Sequence, residues 1–339
     1  MKHQKILDRL FKSMEEEANK DNTQRTYLGM SSFGGCDRKQ WLSFRHAYTP
    51  FINYQSASHF FDGHKTEKTI GDRFLAAGFD FKPVDEDGNQ FTFIDGFTRG
   101  HSDGEFVWDG EKYVWEMKST DKQKRDKLEK LIAKDEHSAL EKWSPLYYNQ
   151  SQFYMGYSGI HKHILFASAH GGRERKNSKG DYRTIVVETL FDEVKFKELQ
   201  EKAKNIIATD KMPEASWALA VSKPLCIWGS ESYQSCEAYK FCTGKDISEP
   251  DCFNCSYITF LETGMGHCFL SKKEIKPYDM QGFKPCHKYH PSLIVGYDLI
   301  CQNEDGSVLY RKDNGEEITN CDSRDFRKEF ILKNNQQEK

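Results

Sequence analysis

The sequence predicts an α/β protein in which a mixed central sheet carries helices on both faces, joined to a small zinc-ribbon-like module. Three observations predict it. Two β-like runs flank Asp109-Gly110, helix-spaced apolar residues precede and follow those runs, and cysteines crowd the stretch after residue 226.

Taken in order, residues 1–30 read as a helical, charged lead, amphipathic at its start and followed by Glu15-Glu16-Glu17. Residues 31–225 hold the core. Its helices are expected near 62–77, 122–142, 146–157 and 193–208, and its strands near 91–107, 112–119, 162–169 and 183–190. Residues 226–302 form the cysteine-rich module. The remainder, 303–339, carries few large apolar residues and is expected to be a polar tail.

The chemistry gathers at the Asp109-Gly110 turn, the strongest short hairpin signal a sequence carries. If those two residues form the loop, Trp108 pairs with Glu111. Counting outward sets Asp103 opposite Glu116 and His101 opposite Lys118, with opposed Cβ atoms roughly 5 Å apart. Two facing carboxylates repel, whereas a divalent cation between them converts the repulsion into ligation. Lys118 stands two positions beyond Glu116, so strand alternation turns it to the same face.

Asp103 and Glu116-Met117-Lys118 resemble the signature of the PD-(D/E)XK, or restriction-endonuclease-like, superfamily, although Ser102 stands where the signature's name has proline. Two flanking patterns extend the resemblance to RecB-like nucleases. Gly63 and Glu67 make a G-x3-E pattern ahead of the hairpin, and Gln150 and Tyr154 make a Q-x3-Y pattern after it. The resemblance implies that Asp103, Glu116, the Met117 carbonyl and Glu67 hold Mg²⁺ or Mn²⁺, with His64 as a further candidate ligand. It further implies that Lys118 serves the attacking water, and that Gln150 and Tyr154 hold the strand of a DNA substrate.

The later cysteines suggest a second metal. Cys252-x2-Cys255, then Cys268 and Cys286, have the spacing of a tetrahedral Zn²⁺ site, with His267, His287 or His290 able to replace one thiolate. This stretch, with Gln281 and Cys286, is similar to the C-terminal region of phage-encoded RecB-like exonucleases. Some RecB-like nucleases bind a [4Fe–4S] cluster with one early and three late cysteines. Cys36, Cys226, Cys236 and Cys242 follow that order, but Cys226 stands ten positions before Cys236 rather than three. A cluster, a second zinc site and ordinary thiols are three readings of equal weight.

Composition narrows the function class. Lys+Arg of 49 against Asp+Glu of 52 leaves a formal net charge of −3 over 339 residues, so no general attraction to nucleic acid follows from the total. Any footprint must be local. Lys122 to Lys134 form one basic stretch, and Arg173, Arg175, Lys176 and Lys179 form another. No run approaches the roughly 18 apolar residues of a membrane span, and a cytoplasmic protein, in host cytoplasm if phage-encoded, is expected. The functional expectation is a metal-dependent DNA exonuclease. A structure-specific or restriction-type endonuclease and a non-catalytic zinc-bearing nucleic-acid-binding protein are the alternatives.

Overall fold

The computed structural model describes residues 4–20, 24–48, 50–169, 184–214, 236–304, 307–320 and 323–335. Elements are numbered in chain order. Helix α1 (Gln4–Lys20) buries no residue fully and lies against α3 (Tyr54–Ala76), where Phe11 stacks on Tyr54 with ring centroids 4.6 Å apart. Between them come β1 (Leu28–Gly29) and α2 (Asp37–Phe44). Helix α3 starts eight residues before the expected boundary because Asn53 caps it, its Oδ1 accepting from the Ser56 N–H at 2.8 Å.

The chain then forms β2 (Asp80–Lys82), β3 (Thr92–Asp95), β4 (Thr98–His101), β5 (Gly104–Trp108) and β6 (Glu111–Thr120). There follow α4 (Lys122–Ile132), α5 (Glu136–Trp143), α6 (Pro145–Ser158), β7 (Lys162–Ala169), β8 (Thr184–Leu190) and α7 (Glu193–Ala208). The central sheet has the order β2-β5-β6-β7-β8, with β6 and β7 parallel and every other neighbouring pair antiparallel. It is mixed, as expected. Trp108 pairs with Glu111, and Asp109 and Gly110 take φ of 53° and 79°, the left-handed pair that a two-residue hairpin loop of this kind requires.

Two expectations are corrected. The single strand expected near 91–107 is three strands in two sheets, because Gly96, with φ of 55°, turns β3 back into β4, and β4 pairs with β1 and β3. His101 therefore faces Thr92 rather than Lys118. The ladder between β5 and β6 ends at Gly104 and Trp115, one position short of Asp103. The helix expected over 122–142 breaks into α4 and α5, with Asp135 standing at the start of the second.

Helices cover both faces of the central sheet. On one face Phe74 and Ile70 of α3 pack with Phe81, Phe106, Trp115 and Met117. On the other, Leu128 of α4, Leu140 of α5 and Tyr148 of α6 cover Leu165, Ala167 and Val187.

The C-terminal third contains α8 (Tyr239–Cys242) and a small antiparallel sheet of β9 (Ile258–Phe260), β10 (Gly266–Cys268) and β11 (Lys273–Ile275). A second antiparallel sheet follows, formed by β12 (Asp298–Gln302), β13 (Val308–Arg311) and β14 (Glu317–Asn320), and then α9 (Ser323–Asn335). One apolar core runs from Leu28 through Trp41, Phe253 and Ile258 to Tyr310 and Phe330. The expected polar tail thus contains strands and a helix. Phe326 and Phe330, one helical turn apart and stacked at 5.7 Å, bury fully and dock the helix, with Arg327 and Asn334 donating to the Ile247 and Gly244 carbonyls. Among the described residues no helix is long and apolar enough to cross a membrane.

Candidate active site

Strand alternation on β6 sends Trp115 and Met117 into the aromatic face and leaves Glu116 and Lys118 toward α6. Helix α6 begins with Ser144 at its cap and Pro145 in its first turn. Gln150 and Tyr154 sit one turn apart on it. The Gln150 Nε2 donates to the Tyr154 hydroxyl at 2.8 Å and to Glu116 Oε1 at 3.3 Å. Lys118 Nζ donates to the same Glu116 Oε1 and lies 5.3 Å from the centroid of the Tyr147 ring. Asp103 reaches the group through the backbone, its Oδ2 accepting from the Met117 N–H at 3.0 Å.

Glu116 is 3 % exposed, and among the described residues its Oε2 has no hydrogen-bond partner. Burial, then the Asp103 and Glu67 carboxylates, push its pKa up to about 8 against the pull of Lys118. Glu67 on α3 is pushed up to about 7 by burial and by Asp103, again against Lys118. Burial pulls the Lys118 ammonium down, but Glu116 and Asp103 more than offset it and hold the lysine above its ordinary range. Three carboxylates and one ammonium thus share one field. His64 stands at its solvent edge, with its side chain 84 % exposed and Nδ1 4.0 Å from Glu67 Oε2. Tyr147, which the sequence reading left without a role, belongs to the site. Its signal was the helical spacing to Gln150 and Tyr154.

The carboxylates fit a hard divalent cation by donor chemistry. Burial first and their mutual repulsion second raise two of them, and among the described residues a buried Glu116 oxygen is left without a donor. They are not, however, assembled in advance. Among the described residues no three His, Cys, Asp or Glu side chains converge as a metal-ligand group, since Met117 N–H holds Asp103 while Lys118 and Gln150 hold Glu116.

The cysteines lie at two places. Cys252 Sγ sits 3.4 Å from His287 Nε2, and burial, opposed by Lys284 and aided by Cys255 and Cys286, pushes its thiol up to about 12. Cys255 is raised by burial, with Cys286 and Cys268 adding to it while backbone groups of Lys288 and Tyr257 oppose. Burial of Cys268 is outweighed by the Ser271 hydroxyl and the backbone of Ser271 and Leu270, which leave this thiol below its usual range. Cys252 and Cys255 each feel other thiols of this group, yet among the described residues the four do not converge as a metal-ligand set. His290 turns instead to Asp210, 3.6 Å away, and His267 packs on Phe269. In the second group, Cys36 precedes α2, Cys236 is half-buried near α8, and Cys242 lies in the main apolar core. Cys226 and the basic run from Arg173 to Lys179 lie outside the described residues.

No protein-family model and no curated protein matches the chain. Solved structures show a loose likeness. A protein designated SSO0001 is 15 % identical, with 62 % of this chain and 90 % of that one aligned at a TM-score of 0.35. An alkaline exonuclease from Laribacter hongkongensis is 14 % identical over 55 % of this chain and 88 % of that one, at a TM-score of 0.36. A phage-related exonuclease from Haemophilus somnus 129PT is 14 % identical over 44 % and 68 %, at 0.32. Likeness of this size relates partial chain paths and assigns no residue a role.

Proposed function

We propose that this chain is a metal-dependent DNA exonuclease with a PD-(D/E)XK core. The observation that carries the proposal is the buried Glu116, held by Lys118 and Gln150 in the field of Asp103 and Glu67. A fold retains such a set of repelling carboxylates only at a cost, which a cation-assisted reaction explains.

Asp103, Glu116 and Glu67, with the Met117 carbonyl, would hold Mg²⁺ or Mn²⁺. The bound ion would polarise the scissile phosphate and the attacking water. In the ion-free site Glu116 and Asp103 hold the Lys118 ammonium above its ordinary range. With the ion bound, Lys118 would orient or help deprotonate the attacking water and offset charge on the phosphoryl oxygens. Gln150 fixes the Glu116 carboxylate, and Tyr154 fixes Gln150. Tyr147 screens the ammonium from solvent with its ring face.

For the cysteines, we assign Zn²⁺ to Cys252, Cys255, Cys268 and Cys286, on the support of their spacing and of the backbone groups that meet two of the sulfurs. The [4Fe–4S] reading of Cys36, Cys226, Cys236 and Cys242 has no such support among the described residues, where Cys242 sits in apolar packing.

The exonuclease activity is tested by digesting an end-labelled linear duplex beside a covalently closed circle, with Mg²⁺ and with Mn²⁺. Degradation of the linear DNA with survival of the circle is expected. Nicking of the circle would transfer the assignment to an endonuclease, and no hydrolysis under either ion would leave a non-catalytic binding protein.

A further inference from the structure

We propose that the exposed face of α4 is a track for the sugar–phosphate backbone of the nucleic acid, in a role that rests on the nuclease reading. Lys127, Lys130 and Lys134 follow at helical spacing, all exposed, and together with Gln123, Asp126 and Leu131 they line a surface groove of about 450 Å³. Charges elsewhere on the helix are internally matched. Lys122 pairs with Asp126 at 2.8 Å, Lys124 pairs with Asp121 at 3.4 Å, and Arg125 pairs with both Asp126 and Glu129. Among the described residues, Lys127, Lys130 and Lys134 pair with no carboxylate, and the one acid in the groove, Asp126, is already taken up by Lys122 and Arg125. The groove is therefore net positive on a chain whose formal charge is −3.

Position links the groove to the site. Helix α4 begins four residues after Lys118 and covers the face of the sheet toward which Lys118 points. The Lys118 ammonium lies on the Tyr147 ring, Tyr147 packs on Trp143 at 5.6 Å, and the Trp143 indole donates to the Lys124 carbonyl at 2.9 Å. Lys127 and Lys130 lie on α4 about 4.5 Å apart along its axis at ~1.5 Å per residue, and Lys134 follows in the turn beyond Ile132. Three point charges in a row, spaced more widely than the ~3.4 Å phosphate repeat of one strand, neutralise backbone charge without reading bases. Lysine binds phosphate as a point charge, without the fixed fork by which arginine selects one geometry.

The test uses the full chain with Lys127→Gln, Lys130→Gln and Lys134→Gln combined, and Lys197→Gln on α7 as a charge control. Binding of a fluorescent single-stranded oligonucleotide is measured in EDTA across a salt series. The slope of log affinity against log salt should fall by roughly 2 in the triple variant and stay near wild type in the control. Hydrolysis of the small diester bis(p-nitrophenyl) phosphate with Mn²⁺ should be retained by the triple variant, because it is too short to reach the groove. An unchanged slope in the triple variant overturns the track, as does loss of polyglutamate binding with the oligonucleotide slope intact. Failure of the wild type to hydrolyse any phosphodiester defeats the nuclease reading instead, and the salt slope still decides the track by itself.

Discussion

Gln150 and Glu116 meet at 3.3 Å, and this contact joins the helix after the hairpin to the strand that carries the chemistry. The same amide donates to the Tyr154 hydroxyl at 2.8 Å, so one side chain sets two others. Removing it leaves a buried carboxylate with Lys118 as its remaining donor. Gln150→Ala should therefore lower kcat by about 10²-fold, in the range seen when one positioned polar contact is lost, with Gln150→Glu failing to rescue because a second acid adds repulsion. Single-turnover hydrolysis of a labelled duplex measures it.

Lys118→Ala should abolish detectable cleavage, a loss of ~10³-fold or more. It also strips the buried Glu116 of its cation partner, a change that typically costs roughly 3–5 kcal/mol. Added Mg²⁺ or Mn²⁺ should consequently raise the Tm of Lys118→Ala more than that of wild type, whereas Asp103→Ala should lose both cleavage and the ion response. Near-wild-type digestion by Lys118→Ala would remove the nuclease proposal.

The raised carboxylates set a pH dependence. Glu116 at about 8 and Glu67 at about 7 both bind protons more tightly folded than unfolded. Their contribution to stability is present below the unfolded carboxylate range and is lost as pH rises through the folded values. Ion-free protein should therefore lose Tm progressively as pH rises from about 4.5 to about 8. Glu116→Gln should flatten that loss, and a divalent cation should oppose it in wild type. A Tm that climbs over this interval in ion-free wild type contradicts the electrostatic account of the site.

Gly100 tests how tightly β4 backs the site. A Cβ there would fall 2.6 Å from Tyr154 Cε1 and 2.7 Å from Met30 Sδ. Gly100→Ala should cost about 1–3 kcal/mol by overpacking and should reduce activity by displacing Tyr154 from Gln150. Urea denaturation and kcat measured on the same preparation check both effects.

Cys255→Ser should lower both zinc content and Tm, since a structural metal adds its binding energy to folding. Elemental analysis of protein purified without oxygen should return one zinc and no iron. Iron with acid-labile sulfide would restore the cluster reading of the Cys36 group.

Several of these features were readable along the chain. Asp109-Gly110 specifies its own loop, because the left-handed pair is a local requirement. Strand β7 and helix α7 match their expected limits, and the spacings Glu116 to Lys118 and Gln150 to Tyr154 place each pair on one face by the period of strand and helix. Those periods act within a segment and need no partner.

What depends on a distant partner was not readable. Residues 92–101 were expected within one strand, yet they join β1 at Leu28 and Gly29 in a separate sheet, and His101 goes with them. Asp103 meets the Met117 N–H and not the Glu116 side chain because the chain changes sheets just before it. The burial that raises Glu116 is supplied by α6, 34 residues away at Gln150. The tail folds because Phe326 and Phe330 find the main core. Alternation and helical spacing are short-range consequences of backbone geometry, whereas sheet membership, desolvation and core docking depend on which remote surfaces come together, and only the assembled chain sets those.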